Sequence, residues 1–197
     1  MEGFENAIEW WALEAATRFG VCNYLEIGVA AGRTLGAVCR IVRGSGRSWS
    51  AIGVDIEHGW SLSLPDVERS LEGIQWSQGG DGVPGPSSCL ISLEGSQVAV
   101  PKLAGRHRIH LALIDGCHEF DCVGADFEAV SRVMEPGGMV LFHDAGEDQN
   151  GGCVQPHRGE PIRVWDWLKA SGLLDRGVML RGDGRLGNPI SMFALRV

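Results

Sequence analysis

The 197-residue chain predicts an α/β fold: a doubly wound, mostly parallel sheet with a C-terminal antiparallel hairpin. Three observations predict it. Apolar strand-like runs alternate with helix-like segments through most of the chain, which implies parallel strands with helices on both faces. Four of those runs end at an acid: Glu26, Asp55, Asp115 and Asp144. The first also enters a glycine turn, Glu26-Ile27-Gly28-Val29-Ala30-Ala31-Gly32, which lets a small ligand approach the backbone.

Each element has its own signal. Residues 5–19 recur at helical spacing through Ile8, Trp11, Ala15 and Phe19, and Gly20 stops them. The first strand spans about 22–27. A helix over about 32–43 carries Leu35, Val38, Cys39 and Val42 on one side, and the second strand spans about 50–55. Residues 57–88 read as a loop-rich insertion, with a helix start at Pro65-Asp66 and a Gly/Pro/Ser loop over 79–88. The third strand is 89–93, a short helix spans 97–104, and the fourth strand is Ile109–Ile114, ending at Asp115. A helix over 121–133 leads to a turn at Glu135-Pro136-Gly137-Gly138. The fifth strand, Met139–Phe142, then ends at His143-Asp144. A second polar loop covers 145–160, and a helix spans 162–170. Two final strands, 178–180 and 191–195, lie close enough in sequence to form a hairpin. In such sheets ligands bind outside the carboxyl ends of the strands, so the four acids are expected along one crevice. No repeat or domain boundary interrupts residues 1–197, which read as one domain.

Composition narrows the function. Apolar residues make up 44% and charged residues 21%, as in an ordinary soluble protein. A net charge of −8 argues against binding a nucleic-acid backbone. No run is long and apolar enough to span a membrane, and the N-terminus lacks the pattern of a signal peptide. The six cysteines (Cys22, Cys39, Cys89, Cys117, Cys122 and Cys153) include no Cys-x-x-Cys pair. They read as reduced thiols of a cytoplasmic protein, spaced wrongly for zinc.

Several segments together carry a resemblance. These are Glu26-x-Gly28-x-x-x-Gly32, Asp55 after the second strand, Ser96-Gln97 after the third, and Ile114-Asp115-Gly116-x-His118 followed by Pro136-Gly137-Gly138. In this order over about residues 22–145 they resemble a class I S-adenosylmethionine-dependent methyltransferase with a Rossmann-like fold. The nearest likeness is to small O-methyltransferases of the catechol type and the group with an Ile-Asp-Gly-x-His segment. The resemblance implies that Gly28 and Gly32 pass close to the amino-acid end of the cofactor, which Glu26 helps to hold. It implies that Asp55 takes the ribose hydroxyls, that Ser96 and Gln97 sit at the adenine edge, and that Asp115 borders the same site. It also implies a divalent ion held by Asp115 and Asp144, with His143 where relatives commonly carry a second acid. Hard oxygen ligands favour magnesium, whereas a histidine ligand shifts the preference to manganese, iron or zinc. His118 and His143 are the candidate bases.

Structural roles stand beside these. Glu26 can bond the glycine turn, Asp55 can cap a helix, and His118 can do the same for the helix that follows it. Asp121 and Asp126 read as the start and the solvent face of a helix. Trp165 and Trp167 read as packing residues, as do Trp60 and Trp76 ahead of a role in lining a pocket. A nicotinamide oxidoreductase would want Gly-x-Gly-x-x-Gly, but Ala30 and Arg33 hold the second and third positions. A methyltransferase-like domain that binds cofactor or a partner without turnover is the alternative. The expected partner is a small-molecule acceptor. The N-terminal helix has two roles open to it, covering the site or making a homodimer contact.

Overall fold

A computed structural model describes residues 3–56, 62–79, 84–103, 106–143, 145, 163–181 and 191–197. Its elements are α1 (Gly3–Phe19), β1 (Val21–Ile27), α2 (Arg33–Gly44), β2 (Ser48–Val54), α3 (Leu64–Ser70), β3 (Gln75–Gln78) and β4 (Ser88–Ser92). Then follow α4 (Ser96–Ala99), which runs into a 3-10 turn over Val100–Leu103, β5 (Ile109–Ile114), α5 (Phe120–Ser131), β6 (Met134–His143) and α6 (Arg163–Ala170). A second 3-10 turn over Leu174–Arg176, β7 (Gly177–Arg181) and β8 (Ser191–Arg196) complete the chain. Among the described residues no helix is long and apolar enough to cross a membrane.

The eight strands form one sheet in the order β3-β4-β2-β1-β5-β6-β8-β7. The six strands from β3 to β6 are parallel, and β8 runs antiparallel to both β6 and β7. This is the doubly wound sheet with an antiparallel C-terminal pair that the sequence predicts. The chain travels outward from β1 through β2, then returns to lay β5 against the other side of β1. That reversal is a topological switch point, where two loops diverge and leave a crevice.

Side-chain alternation along each strand divides the core in two. Cys22 and Tyr24 of β1 face α1, α2 and α3, packing with Ile8, Leu35, Val38 and Val67. Leu25 and Ile27 face the opposite side, with Val100, Val123, Val130 and Leu168 of the later helices. Helix α2 buries Leu35, Val38, Cys39 and Val42 along one stripe, which is the spacing read from sequence. Trp167 also packs as expected, its ring centroid 5.3 Å from Phe127 and 5.7 Å from Phe142.

Two local expectations need correction. The insertion over 57–88 contains a strand, β3, joined in parallel to β4 from Gln75↔Ser88 to Gln78↔Ile91. Backbone pairing holds it at the sheet edge, and Trp76, its one partly buried side chain, packs against the core. The Glu135–Gly138 turn lies inside β6. The ladder to β5 jumps there from Ile109↔Met134 to Leu111↔Met139. The extruded residues bond the C-terminus instead, with the Gly137 N–H donating to the Val197 carbonyl and the Val197 N–H to that of Gly138.

The switch point is tight. Gly28 has φ +89°, and a Cβ there would lie 2.2 Å from the Asp115 carbonyl oxygen and 2.7 Å from the Gly116 nitrogen. Both neighbours are backbone, so neither can swing away. Gly46 also has a positive φ, of +71°, but nothing lies within 4 Å of its Cβ position. Gly28→Ala is expected to cost about 3 kcal/mol or more in urea denaturation, and Gly46→Ala only ~1 kcal/mol. Equal costs would show that the backbone contact is not the constraint.

Candidate active site

The tips of the parallel strands are tied in a staircase. The Gly28 N–H donates to the Val54 carbonyl (2.9 Å), the Asp55 N–H to that of Ser92 (3.0 Å), and the Asp115 N–H to that of Ile27 (2.8 Å). Each tip is thus fixed by its neighbour rather than by its own loop. The β1 loop then turns through Ala30, a non-glycine residue with φ +47°, and closes with the Gly32 N–H on the Val29 carbonyl (2.7 Å). Such a conformation persists only where its surroundings hold it, and here Asp55 does. Its Oδ2 accepts the N–H groups of Val29 and Ala30, both at 2.8 Å, and its Oδ1 accepts that of Ile56 at 2.7 Å.

A cavity of about 440 Å³ opens over these tips, which is within the range of small-molecule sites. Its walls are Gly28 and Ala30 of the β1 loop, Asp55 and Ile56 after β2, Glu94 to Gln97 after β4, and Asp115, Gly116 and Cys117 after β5. Cys122 and Asp126 add the wall from α5. Of the residues predicted from sequence, Gly28, Asp55, Ser96, Gln97 and Asp115 therefore meet at one cavity. Gly32 lies behind it at the start of α2, its Cβ position 3.2 Å from the Val67 Cα. Glu94, just before Gly95 and Ser96, pairs with Lys102 at 2.7 Å.

Glu26 does not line the cavity. It is 2% exposed on the α1–α2 face, and its Oε2 accepts the Tyr24 hydroxyl at 2.7 Å. Burial pushes its carboxyl up to about 8. The Tyr24 hydrogen bond opposes that rise, while the Asp115 and Asp55 charges add to it.

Asp115 joins the cavity to a second feature. Its Oδ1 meets His143 Nδ1 at 2.8 Å and lies 3.6 Å from His118 Nε2. The three side chains place one ligand atom each within 4.8 Å of one another. Strand register explains the convergence. Ile27, Ile114 and Phe142 are paired across β1, β5 and β6, so Gly28, Asp115 and His143 form the next row. His118 comes back to Asp115 from the loop that follows. Asp144, the other acid predicted as a metal ligand, lies outside the described residues, as do Trp60 and most of the 145–160 loop.

Asp126 corrects the sequence reading. It does not occupy the solvent face of α5; it is 3% exposed and lines the cavity. Its Oδ1 accepts the Ser96 hydroxyl and, at 3.3 Å, the Gln97 Nε2. Its position three residues after Val123 and four before Val130, both fully buried, was the signal available in the sequence.

The profile described as "Methyltransferase domain" matches residues 25–145, from β1 past the end of β6. Among solved structures, the fold is similar to an O-methyltransferase from Bacillus cereus in complex with SAH, at 15% identity and a TM-score of 0.64. That match covers 100% of this chain and 83% of the other. It is also similar to an rRNA methylase from Streptococcus thermophilus, at 12% identity and a TM-score of 0.64, covering 100% and 98%. A third likeness is to the O-methyltransferase TomG from Streptomyces achromogenes in complex with SAM, at 16% identity and a TM-score of 0.62, covering 96% and 78%. At these identities the likeness is one of fold. No curated protein sequence matches. The profile match spans more than half of the chain, and the protein belongs to the methyltransferase domain family.

Proposed function

We propose that the protein moves a methyl group from S-adenosylmethionine to an oxygen of a small-molecule acceptor. The observation that carries this reading is the position of Asp115. One carboxylate lines the cavity suited to the cofactor and also comes within 2.8 Å of the His143 imidazole, with that of His118 close by. In this reading Asp115 serves both the methyl donor and the proton acceptor.

The cavity fits the cofactor in size and in chemistry, and two of the similar solved structures hold SAM or SAH. Gly28 keeps the wall thin beside the amino-acid end. Asp55 holds the loop amides in place and borders the ribose position, and Ser96 and Gln97 border the adenine. Glu26 sits behind the loop as a buried acid that a nearby ammonium group would ionise. Once bound, the sulfonium supplies an electrophilic methyl group that needs no further activation. The chain must hold the acceptor in line with it and remove the hydroxyl proton. The proton passes to an imidazole nitrogen of His118 or His143, while Asp115 stabilises the imidazolium that forms.

The same three side chains fit a divalent ion. Two histidines and a carboxylate suit manganese, iron or zinc better than magnesium. An ion held there would lower the pKa of an acceptor hydroxyl. The similar structures include an rRNA methylase as well as O-methyltransferases, so the fold does not select the acceptor. The net charge of −8 favours a small molecule over RNA.

Calorimetry with S-adenosylhomocysteine tests the cofactor. Binding is expected, and Asp55→Ala should weaken it by ~1–3 kcal/mol through lost charge-assisted bonds and a loosened loop. Unchanged affinity in that variant would remove Asp55 from the site.

Methyl transfer from labelled cofactor to a panel of hydroxylated acceptors, with and without chelator, tests the chemistry. Asp115→Asn should lower turnover by roughly 100-fold or more. A chelator without effect would exclude the ion, and methylation confined to amines would overturn the oxygen acceptor.

Glu26 gives a pH-dependent test. Its carboxyl titrates near 8 when folded and near the ordinary 4.5 when unfolded, so the folded state holds the extra proton between those values. The stability it contributes is full below about 4.5 and is lost as pH rises through 8. Glu26→Gln should therefore gain on the wild type by on the order of a few kcal/mol between pH 5 and pH 8.5. In the wild type, S-adenosylhomocysteine binding at pH 7 should release close to one proton, read from calorimetry in buffers of different ionisation enthalpy. The Gln variant should release none; equal release in both proteins would separate Glu26 from the cofactor.

A further inference from the structure

Four of the cysteines among the described residues form two thiol pairs. Cys39 of α2 is hydrogen-bonded to Cys89 of β4, and Cys122, in the first turn of α5, to Cys117 in the loop after β5. Access divides the pairs. Cys39 and Cys89 are each 1% exposed, inside the core on the α1–α2 side. Cys117 is exposed, Cys122 is half-buried, and both line the cavity. Thiols react where solutes reach them, and structural buried thiols are inert. The chain turns back between Cys117 and Cys122 because Glu119 caps α5, its carbonyl accepting the Val123 N–H at 3.0 Å. His118 lies within that turn, 3.6 Å from Asp115.

We propose that Cys117 and Cys122 are a thiol modification site, oxidised by a peroxide to a disulfide that narrows the cavity. The exposed Cys117 sulfur attacks one peroxide oxygen, the O–O bond breaks, and the thiol proton leaves with the other oxygen as water. Sulfur is oxidised to a sulfenic acid and the peroxide is reduced. The Cys122 sulfur then attacks that of Cys117. The S–O bond breaks, and the hydroxyl leaves with the Cys122 proton as a second water. Two thiols and one peroxide thus give one disulfide and two waters. The bridge draws the sulfurs from hydrogen-bond contact to about 2.0 Å. Helix α5 is anchored through Val123 and Val130 in the other core, so the loop moves toward the helix. That loop follows directly on Asp115 and Gly116, which line the cavity and shift with it. The chemistry stands apart from the cofactor reading; the effect on ligand rests on it.

The test treats the reduced, folded protein with hydrogen peroxide, blocks the remaining thiols after unfolding, and maps the peptides by mass spectrometry. The segment holding Cys117 and Cys122 should lose two hydrogens and escape blocking, while Cys39 and Cys89 are blocked. The same bridge is expected in Cys153→Ser. In Cys122→Ser, Cys117 should stop at the sulfenic acid and be trapped by dimedone. No bridge, a bridge from Cys117 to Cys153, or equal oxidation of Cys39 and Cys89 would overturn the proposal. In calorimetry the oxidised protein should bind S-adenosylhomocysteine at least about fivefold more weakly, with dithiothreitol restoring the affinity and Cys122→Ser changing by less than about twofold. A bridge that leaves affinity unchanged would overturn the narrowing and spare the cofactor reading. If the reduced protein does not bind S-adenosylhomocysteine, the cofactor reading falls, and the mapped bridge still decides the modification site.

Discussion

The backbone contact between the β1 loop and the β5 loop governs everything built over it. Gly28 places its α-carbon so close to Asp115 that a methyl group would overlap the carbonyl. Because that gap is closed, the Gly28 N–H reaches Val54 and the Asp115 N–H reaches Ile27. The ladder thus continues one step past the strands proper. Asp55 completes the tie with three short bonds from backbone amides, each of a charge-assisted kind worth about 1.5–3 kcal/mol. A side chain at position 28 would push the two loops apart. Val29 and Ala30 would then lose their acceptor, and the left-handed turn at Ala30 its support.

Alternation along the strands decides what those rigid tips present. Tyr24, Leu113 and Leu141 share the first core, so Glu26, Asp115 and His143, each two residues further on, fall on the same face of the sheet. Three ionisable groups thereby gather on one side of the crevice, while the cavity wall is completed from the other side by α4 and α5. Asp115 belongs to both arrangements because its backbone is the one locked against Gly28.

Much of this was legible because strand ends and parity are local properties of sequence. The apolar runs, their terminal acids and the order of elements give the parallel sheet, and with it the meeting of Gly28, Asp55 and Asp115, while only the family resemblance implies Ser96 and Gln97 beside them. What escaped has physical reasons. Gln75–Gln78 is a short edge strand with Trp76 as its one side chain packed on the core, so it carries too little alternation to read as a strand. The Glu135–Gly138 segment reads correctly as a turn in composition, yet the chain terminus supplies bonds that absorb it into β6. As a charged residue in a helix, Asp126 reads as solvent-facing. Its helical phase, in line with Val123 and Val130, placed it inside, and only the donors on Ser96 and Gln97 make an acid tolerable there.

The partners of the cavity's acids separate structure from chemistry. Asp55 accepts bonds from backbone amides, which hold the β1 loop. Glu94 is bonded by Lys102, and Asp126 by a hydroxyl and an amide. Through these contacts the three carboxylates hold the walls of the cavity in place. Asp115 differs. Its neighbours are the imidazoles of His143 and His118. The three side chains gather beside the cavity, on the row fixed by Gly28. The rigid contact at the switch point therefore does more than shape a pocket, because it also fixes where Asp115 meets the two imidazoles.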